Sequence, residues 1–285
     1  MPSPLCTLLA VLLGLVLLGD SGGVAFTQDS TPEIATERGV SYGEADGQEL
    51  MLDVYRPPAG GETSPAVVLL PGWELGRSSM LAPAQALAEA GYVAFAVDYR
   101  LQQPVHIDDA QLAVRWVRAN AERYGVDPER ICAYGHSTGG QLAAMLGVRD
   151  TRDEIDPALA EHSSRVACVV DLAGDSDMTI PYTDDYWNEW LVDQLGGTLE
   201  EAPERYRDVS PVAFVDEQSA PFLVIHGGRD TMTPMEHSRR LVAALHAAGV
   251  EVVYADLVDD DHFSVAGWGV TGAFTLAFLD RHLRP

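Results

Sequence analysis

The chain has 285 residues, enough for one large domain or two small ones, and its 47% hydrophobic content supports a substantial core. Charge is the outlier. Against 43 acidic residues stand 18 basic ones, all arginine, for a net charge of −25, which argues against nucleic acid or an anionic membrane as partner. A biased genome accounts for the missing lysines, with adaptation to high salt as the sharper alternative. No repeat or low-complexity tract is present.

Leu5 to Leu18 is almost wholly apolar and leads into Gly19-Asp20-Ser21-Gly22-Gly23-Val24-Ala25. That run is short for a membrane span and resembles a secretory leader cleaved after Ala25. No Lys or Arg precedes it, so the alternative is an uncleaved anchor. The expectation is a leader over 1–25, a secreted or periplasmic protein, and membrane contact only if the leader is retained. Residues 26–285 form the domain. Cys132 and Cys168 lie in apolar runs and read as buried free thiols.

Val40-Ser41-Tyr42 and Leu50 to Tyr55 alternate apolar and polar around Asp46-Gly47, predicting an antiparallel hairpin. A different rhythm follows. Strands are predicted at Ala66–Leu70, Tyr92–Val97, Ile131–Tyr134, Val166–Leu172, Pro221–Ile225 and Val250–Leu257. Helices are predicted at Ala82–Ala90, Asp108–Tyr124, Gln141–Leu146, Met235–Ala248 and Gly269–Leu283. This alternation implies an α/β fold: a mostly parallel sheet, helices on both faces, and catalytic groups at the carboxyl ends of the strands. Gly174 to Gln218 interrupts it with an acidic, aromatic-rich stretch and reads as an inserted lid or cap. Its aromatics either grip a substrate or pack the insert onto the body.

The chain is organised around Gly135-His136-Ser137-Thr138-Gly139-Gly140, between a strand and a good helix former. In a Gly-x-Ser-x-Gly turn the serine is strained, and a side chain two residues to either side would collide with a neighbouring element. The hydroxyl emerges at a helix N-terminus, where developing negative charge is favoured.

A serine hydroxyl needs a base to take its proton and a carboxylate to orient that base. Of eight histidines, His262 follows the last strand and is the expected base. His136 adjoins the serine, so its side chain should point away, and His226 could pack beneath the site. His106, His162, His237, His246 and His282 are expected on loop or helix surfaces. Asp230 is the expected carboxylate, reached through a glycine turn that lets the backbone bend, with Asp175 as runner-up. Asp256 lies within a strand, and Asp259–Asp261 read as a solvated acidic loop. The order Ser137, Asp230, His262 suits this fold. Two N–H donors are needed for the oxyanion. Thr138 should supply one. Pro71 has no N–H, so Gly72 or Trp73 supplies the other, Trp73 being preferred.

These residues resemble the α/β-hydrolase superfamily from about Gly47 to Leu283, and more narrowly its BD-FAE-like or hormone-sensitive-lipase-like esterases. The matching pieces are Asp98-Tyr99-Arg100-Leu101, Trp116-Val117-Arg118, Tyr124 to Ile131, Gly135 to Gly140, Ser210-Pro211 and His226-Gly227-Gly228-Arg229-Asp230. The family's usual His-Gly-Gly-Gly-Trp is here Leu69-Leu70-Pro71-Gly72-Trp73. The resemblance implies hydrolysis of carboxylic esters through an acyl-enzyme, often of short acyl groups or acylated carbohydrate, without metal or organic cofactor. Two other readings compete: a serine peptidase of the prolyl-oligopeptidase type, and a non-catalytic binding protein on the same scaffold.

Overall fold

The computed structural model describes residues 34–58, 63–150 and 156–284; the leader expected over 1–25 lies outside them. Eight strands run β1 (Ala35–Ala45), β2 (Gln48–Arg56), β3 (Ser64–Leu70), β4 (Val93–Val97), β5 (Val126–His136), β6 (Cys168–Leu172), β7 (Phe222–Gly227) and β8 (Val252–Leu257). The helices are α1 (Leu81–Glu89), α2 (Val105–Ala119), α3 (Ala121–Tyr124), α4 (Thr138–Val148), α5 (Asp185–Leu195), α6 (Pro203–Asp208), α7 (Glu236–Ala247) and α8 (Trp268–Leu283).

One sheet has the order β1-β2-β4-β3-β5-β6-β7-β8. β1 pairs with β2 and β2 with β4 antiparallel, and every later pair is parallel. The hairpin turns at Asp46-Gly47, both at positive φ (52° and 75°), as a two-residue turn matching strand twist requires. β3, β4, β6 and β7 are buried on both faces, so they read as continuous apolar runs. Ala66, Val68 and Leu70 point into a core shared with Leu112, Leu142 and Leu241 of α2, α4 and α7. Val67 and Leu69 point the other way, toward Leu87 and Leu279 of α1 and α8. Cys132 and Cys168 are register partners on β5 and β6, both free and buried. The strand order reverses between β3 and β5, and such a reversal opens a crevice at the carboxyl ends.

Several boundaries differ from expectation. The helix expected over 108–124 starts at Val105 and breaks at Asn120, whose side-chain amide donates to the Trp116 carbonyl at 2.9 Å and competes with the helix ladder. β5 begins at Val126, through Asp127-Pro128, because its first pairing to β3 is offset by a register shift at Ser64. β6 and β8 each begin two residues later than expected, at Cys168 and Val252. Between β6 and β7, the 174–218 stretch folds as α5 and α6, anchored on the core by Leu191, Leu195 and Tyr206. Among the described residues no helix is long and apolar enough to cross a membrane.

His106 and His237, expected on helix surfaces, are buried, and so is most of His282. Burial pushes the His106 imidazole down to about 4. The unfolded chain therefore binds a proton below about pH 6.5 that the native chain refuses until about 4. Native stability should fall as pH drops through that window, by about 1.4 kcal/mol per pH unit for each such proton. Urea unfolding between pH 7 and 4.5 should show this loss, and His106→Gln should lower the slope by close to one proton.

Candidate active site

Ser137 is the residue between β5 and α4, at φ 57° and ψ −125°. A non-glycine residue there is strained. The flanking glycines allow the turn. A Cβ at Gly135 would lie 1.9 Å from the Gly139 carbonyl oxygen, and one at Gly139 would lie 2.0 Å from that of Leu70. The Ser137 N–H donates to the Leu172 carbonyl on β6 at 2.9 Å, and Gln141 N–H closes the first helical bond to the Ser137 carbonyl at 3.0 Å. The hydroxyl is thus held at the start of α4, where N–H groups lack intrahelical partners.

Two loops supply the partners. His262 Nδ1 lies 2.7 Å from Asp230 Oδ2. The other Asp230 oxygen accepts from the Met232 and Thr233 N–H groups at 2.8 and 2.9 Å. Burial alone would raise the Asp230 carboxyl; hydrogen bonds from His226 and His262 outweigh it and hold the group well below the usual carboxylate range. The glycines before Asp230 act differently from the bend expected of them. Neither Gly227 nor Gly228 has positive φ. A Cβ on Gly227 would sit 2.6 Å from the Asp260 carbonyl oxygen, and one on Gly228 would sit 2.7 Å from that of Val258. They let the Asp230 loop lie backbone to backbone against the loop of His262, where Arg229 N–H donates to the Asp260 carbonyl at 2.9 Å.

The acidic loop expected to be merely solvated also has structure. Asp261 Oδ1 accepts from the N–H groups of Phe263 and Ser264 at 3.0 and 2.9 Å, while Ser264 Oγ accepts from Asp261 N–H at 2.7 Å. These bonds fold the turn that presents His262. Backbone hydrogen bonds from Ser264 and Phe263 lower the Asp261 carboxyl despite its exposure.

A pocket of about 200 Å³ opens at the β3/β5 reversal, and Ser137, Thr138, His262, Gly72 and Trp73 all line it. The loop of Gly72 and Trp73 is held by Tyr99, whose hydroxyl donates to the Pro71 carbonyl at 2.7 Å. Tyr182, Trp187 and Trp190 of the 174–218 segment form another wall. Asp230 takes His262, and Asp175, the runner-up, lines the pocket itself.

His136 was expected to point away, yet it packs against the site. Its ring centroid is 4.7 Å from that of His262, and its Nε2–H donates to the His262 carbonyl at 2.7 Å. Burial, then the neighbouring His262, lower its imidazole to about 4. His226 places Nε2 3.0 Å from the Thr233 carbonyl and 3.3 Å from Asp230 Oδ2, and its Nδ1 is 2.7 Å from Ser238 Oγ. A histidine directly ahead of the serine and another two glycines ahead of the aspartate were the visible signals; their partners are distant in sequence.

The BD-FAE family model matches residues 52–245. The chain belongs to the BD-FAE family. This BD-FAE chain is 33% identical over 242 residues to Esterase LipC of Mycobacterium tuberculosis, covering 79% of the chain and 59% of that relative. It is 29% identical over 243 residues to Esterase LipQ of the same organism, covering 78% and 56%. It thus spans somewhat over half the length of these relatives. A butyrate-bound esterase 2 from Thermogutta terrifontis superposes with a TM-score of 0.74 at 24% identity, over 89% of this chain and 96% of that one. With the sheet order above, this establishes the α/β-hydrolase fold.

Gly139→Ala should displace the β3 loop or the turn, destabilise the protein by several kcal/mol and distort the pocket. Gly269→Ala, with open space around the new methyl group, should be neutral or stabilising by about 0.5 kcal/mol. Thermal unfolding of the two variants beside wild type checks both.

Proposed function

We propose that this BD-FAE protein is a serine carboxylesterase acting on short-chain acyl esters, including those on carbohydrate. One observation carries the reading: the 2.7 Å contact from His262 Nδ1 to Asp230 Oδ2, in a pocket that Ser137 also lines. The anionic Asp230 accepts Nδ1–H, which leaves Nε2 of His262 as the lone-pair nitrogen. Ser137 Oγ attacks the ester carbonyl carbon, and its proton passes to Nε2. The carbonyl oxygen becomes an oxyanion facing the Thr138 N–H and that of Trp73, with Gly72 as the alternative. Collapse expels the alcohol, which takes the proton from Nε2, and leaves an acyl group on Ser137. Water, deprotonated by His262, then releases the acid and restores the serine.

The names of the two mycobacterial relatives support the ester chemistry. The small pocket volume supports a short acyl group. The 174–218 segment acts as the lid: Trp190 meets Trp73 edge to face, with ring centroids 4.7 Å apart, across the pocket. The N-terminal run, read as a leader, makes the protein secreted or periplasmic.

The test is a panel of nitrophenyl esters from acetate to laurate, with acetylated xylan added, on wild type and Ser137→Ala. Wild-type turnover should be highest for the shortest chains, and Ser137→Ala should lose roughly 10⁴-fold or more. Equal turnover by both proteins would contradict the mechanism.

A further inference from the structure

The ester mechanism leaves one carboxyl group in the pocket unused. Asp175 is 3% exposed and lines the cavity beside Ser137 and His262. Its loop is tightly held. Leu172, which accepts the Ser137 N–H, is three residues earlier, Ala173 sits at φ 49°, and Gly174 N–H donates to Asp171 Oδ1 at 2.9 Å. Asp175 therefore has a set position relative to the nucleophile.

Its partners within the protein are all neutral. Thr233 Oγ1 donates to Asp175 Oδ1 at 2.9 Å. The Tyr182 phenol faces it and is raised by burial, then by the charge of Asp175 and their hydrogen bond. His237, behind them, is lowered by burial and stays uncharged near neutrality. Arg240, the nearby cation, is taken by Asp177 at 2.8 Å. No arginine pairs with Asp175 among the described residues, and the chain has no lysine.

A carboxylate has acceptor capacity for about four hydrogen bonds, and two are filled. Its charge already lies out of water, and a buried charge is costly until an opposite charge compensates it. A neutral hydroxyl would supply the hydrogen bond but leave the charge uncompensated. The walls add a second preference. Trp73, Trp187 and Trp190 line the same pocket and pack edge to face, with centroids 4.7 and 5.7 Å apart; indole rings attract cations and supply apolar surface for a cation's stem. Glu74 at the pocket wall and the net charge of −25 draw the same sign of ligand.

We propose that Asp175 is the specificity-determining residue of this pocket and selects substrates that carry an ammonium group. That the group is borne by an ester rests on the function proposed above; the binding preference does not. Calorimetric titration of the full chain with n-pentylammonium and with 1-pentanol separates charge from shape. Wild type should bind the ammonium roughly tenfold or more tightly than the alcohol, and Asp175→Asn, checked for folding by circular dichroism, should lose most of that difference. Equal affinity of wild type for the two ligands would overturn the proposal without recourse to any variant, as would an undiminished preference in folded Asp175→Asn. In the kinetic arm, the kcat/KM ratio of the nitrophenyl esters of β-alanine and butyrate should favour β-alanine in wild type and fall about tenfold in Asp175→Asn. Ammonium binding with neither ester hydrolysed would defeat the esterase reading and leave this one standing.

Discussion

The structure depends on backbone meeting backbone at three places where no side chain fits. Gly135 meets the carbonyl of Gly139, Gly139 meets that of Leu70, and Gly227 and Gly228 meet the loop of Val258 and Asp260. The first two contacts set the serine turn against the β3 loop. The third sets the Asp230 loop against the His262 loop. A methyl group at any of them would overlap a carbonyl oxygen, so the relative positions of three distant segments are dictated by missing atoms. The 2.7 Å contact between His262 and Asp230 follows from that packing.

Electrostatics then divide the histidines by environment. His136 and His106 are pushed down to about 4 by burial, which for His136 outweighs the opposing pull of Asp230. They remain neutral, serving as hydrogen-bonding wedges and packing groups. His262 alone of the pocket histidines sits with Nδ1 on a carboxylate held anionic by several donors. The same ring type thus meets two environments in one fold, burial for His106 and contact with a carboxylate for His262.

Much of this was legible in the chain. The period-two hairpin around Asp46-Gly47, the continuous apolar strands and the intervening helices pointed to the observed sheet, because burial on both faces leaves an apolar run that composition reveals. Ser137, Asp230 and His262 could be placed because each stands at the carboxyl end of a strand. The histidine environments were not legible. His106, His237 and His136 carry no local sign of burial, since the groups that cover them come from elsewhere in the chain. The purpose of Gly227-Gly228 was misread for the same reason: a glycine that bends its own backbone and one that admits another look identical in sequence. Asp175 needed the fold as well, since its aromatic surroundings come from the 174–218 segment and from Trp73 on the loop after β3.

The central claim is that one hydroxyl is activated by a histidine delivered from the last strand. Treatment of the folded protein with a fluorophosphonate, followed by mass spectrometric mapping, tests it most directly. The account predicts a single phosphonylated residue, Ser137, and loss of labelling in His262→Ala while the fold persists. Labelling elsewhere, or none at all on the folded wild-type protein, would contradict it.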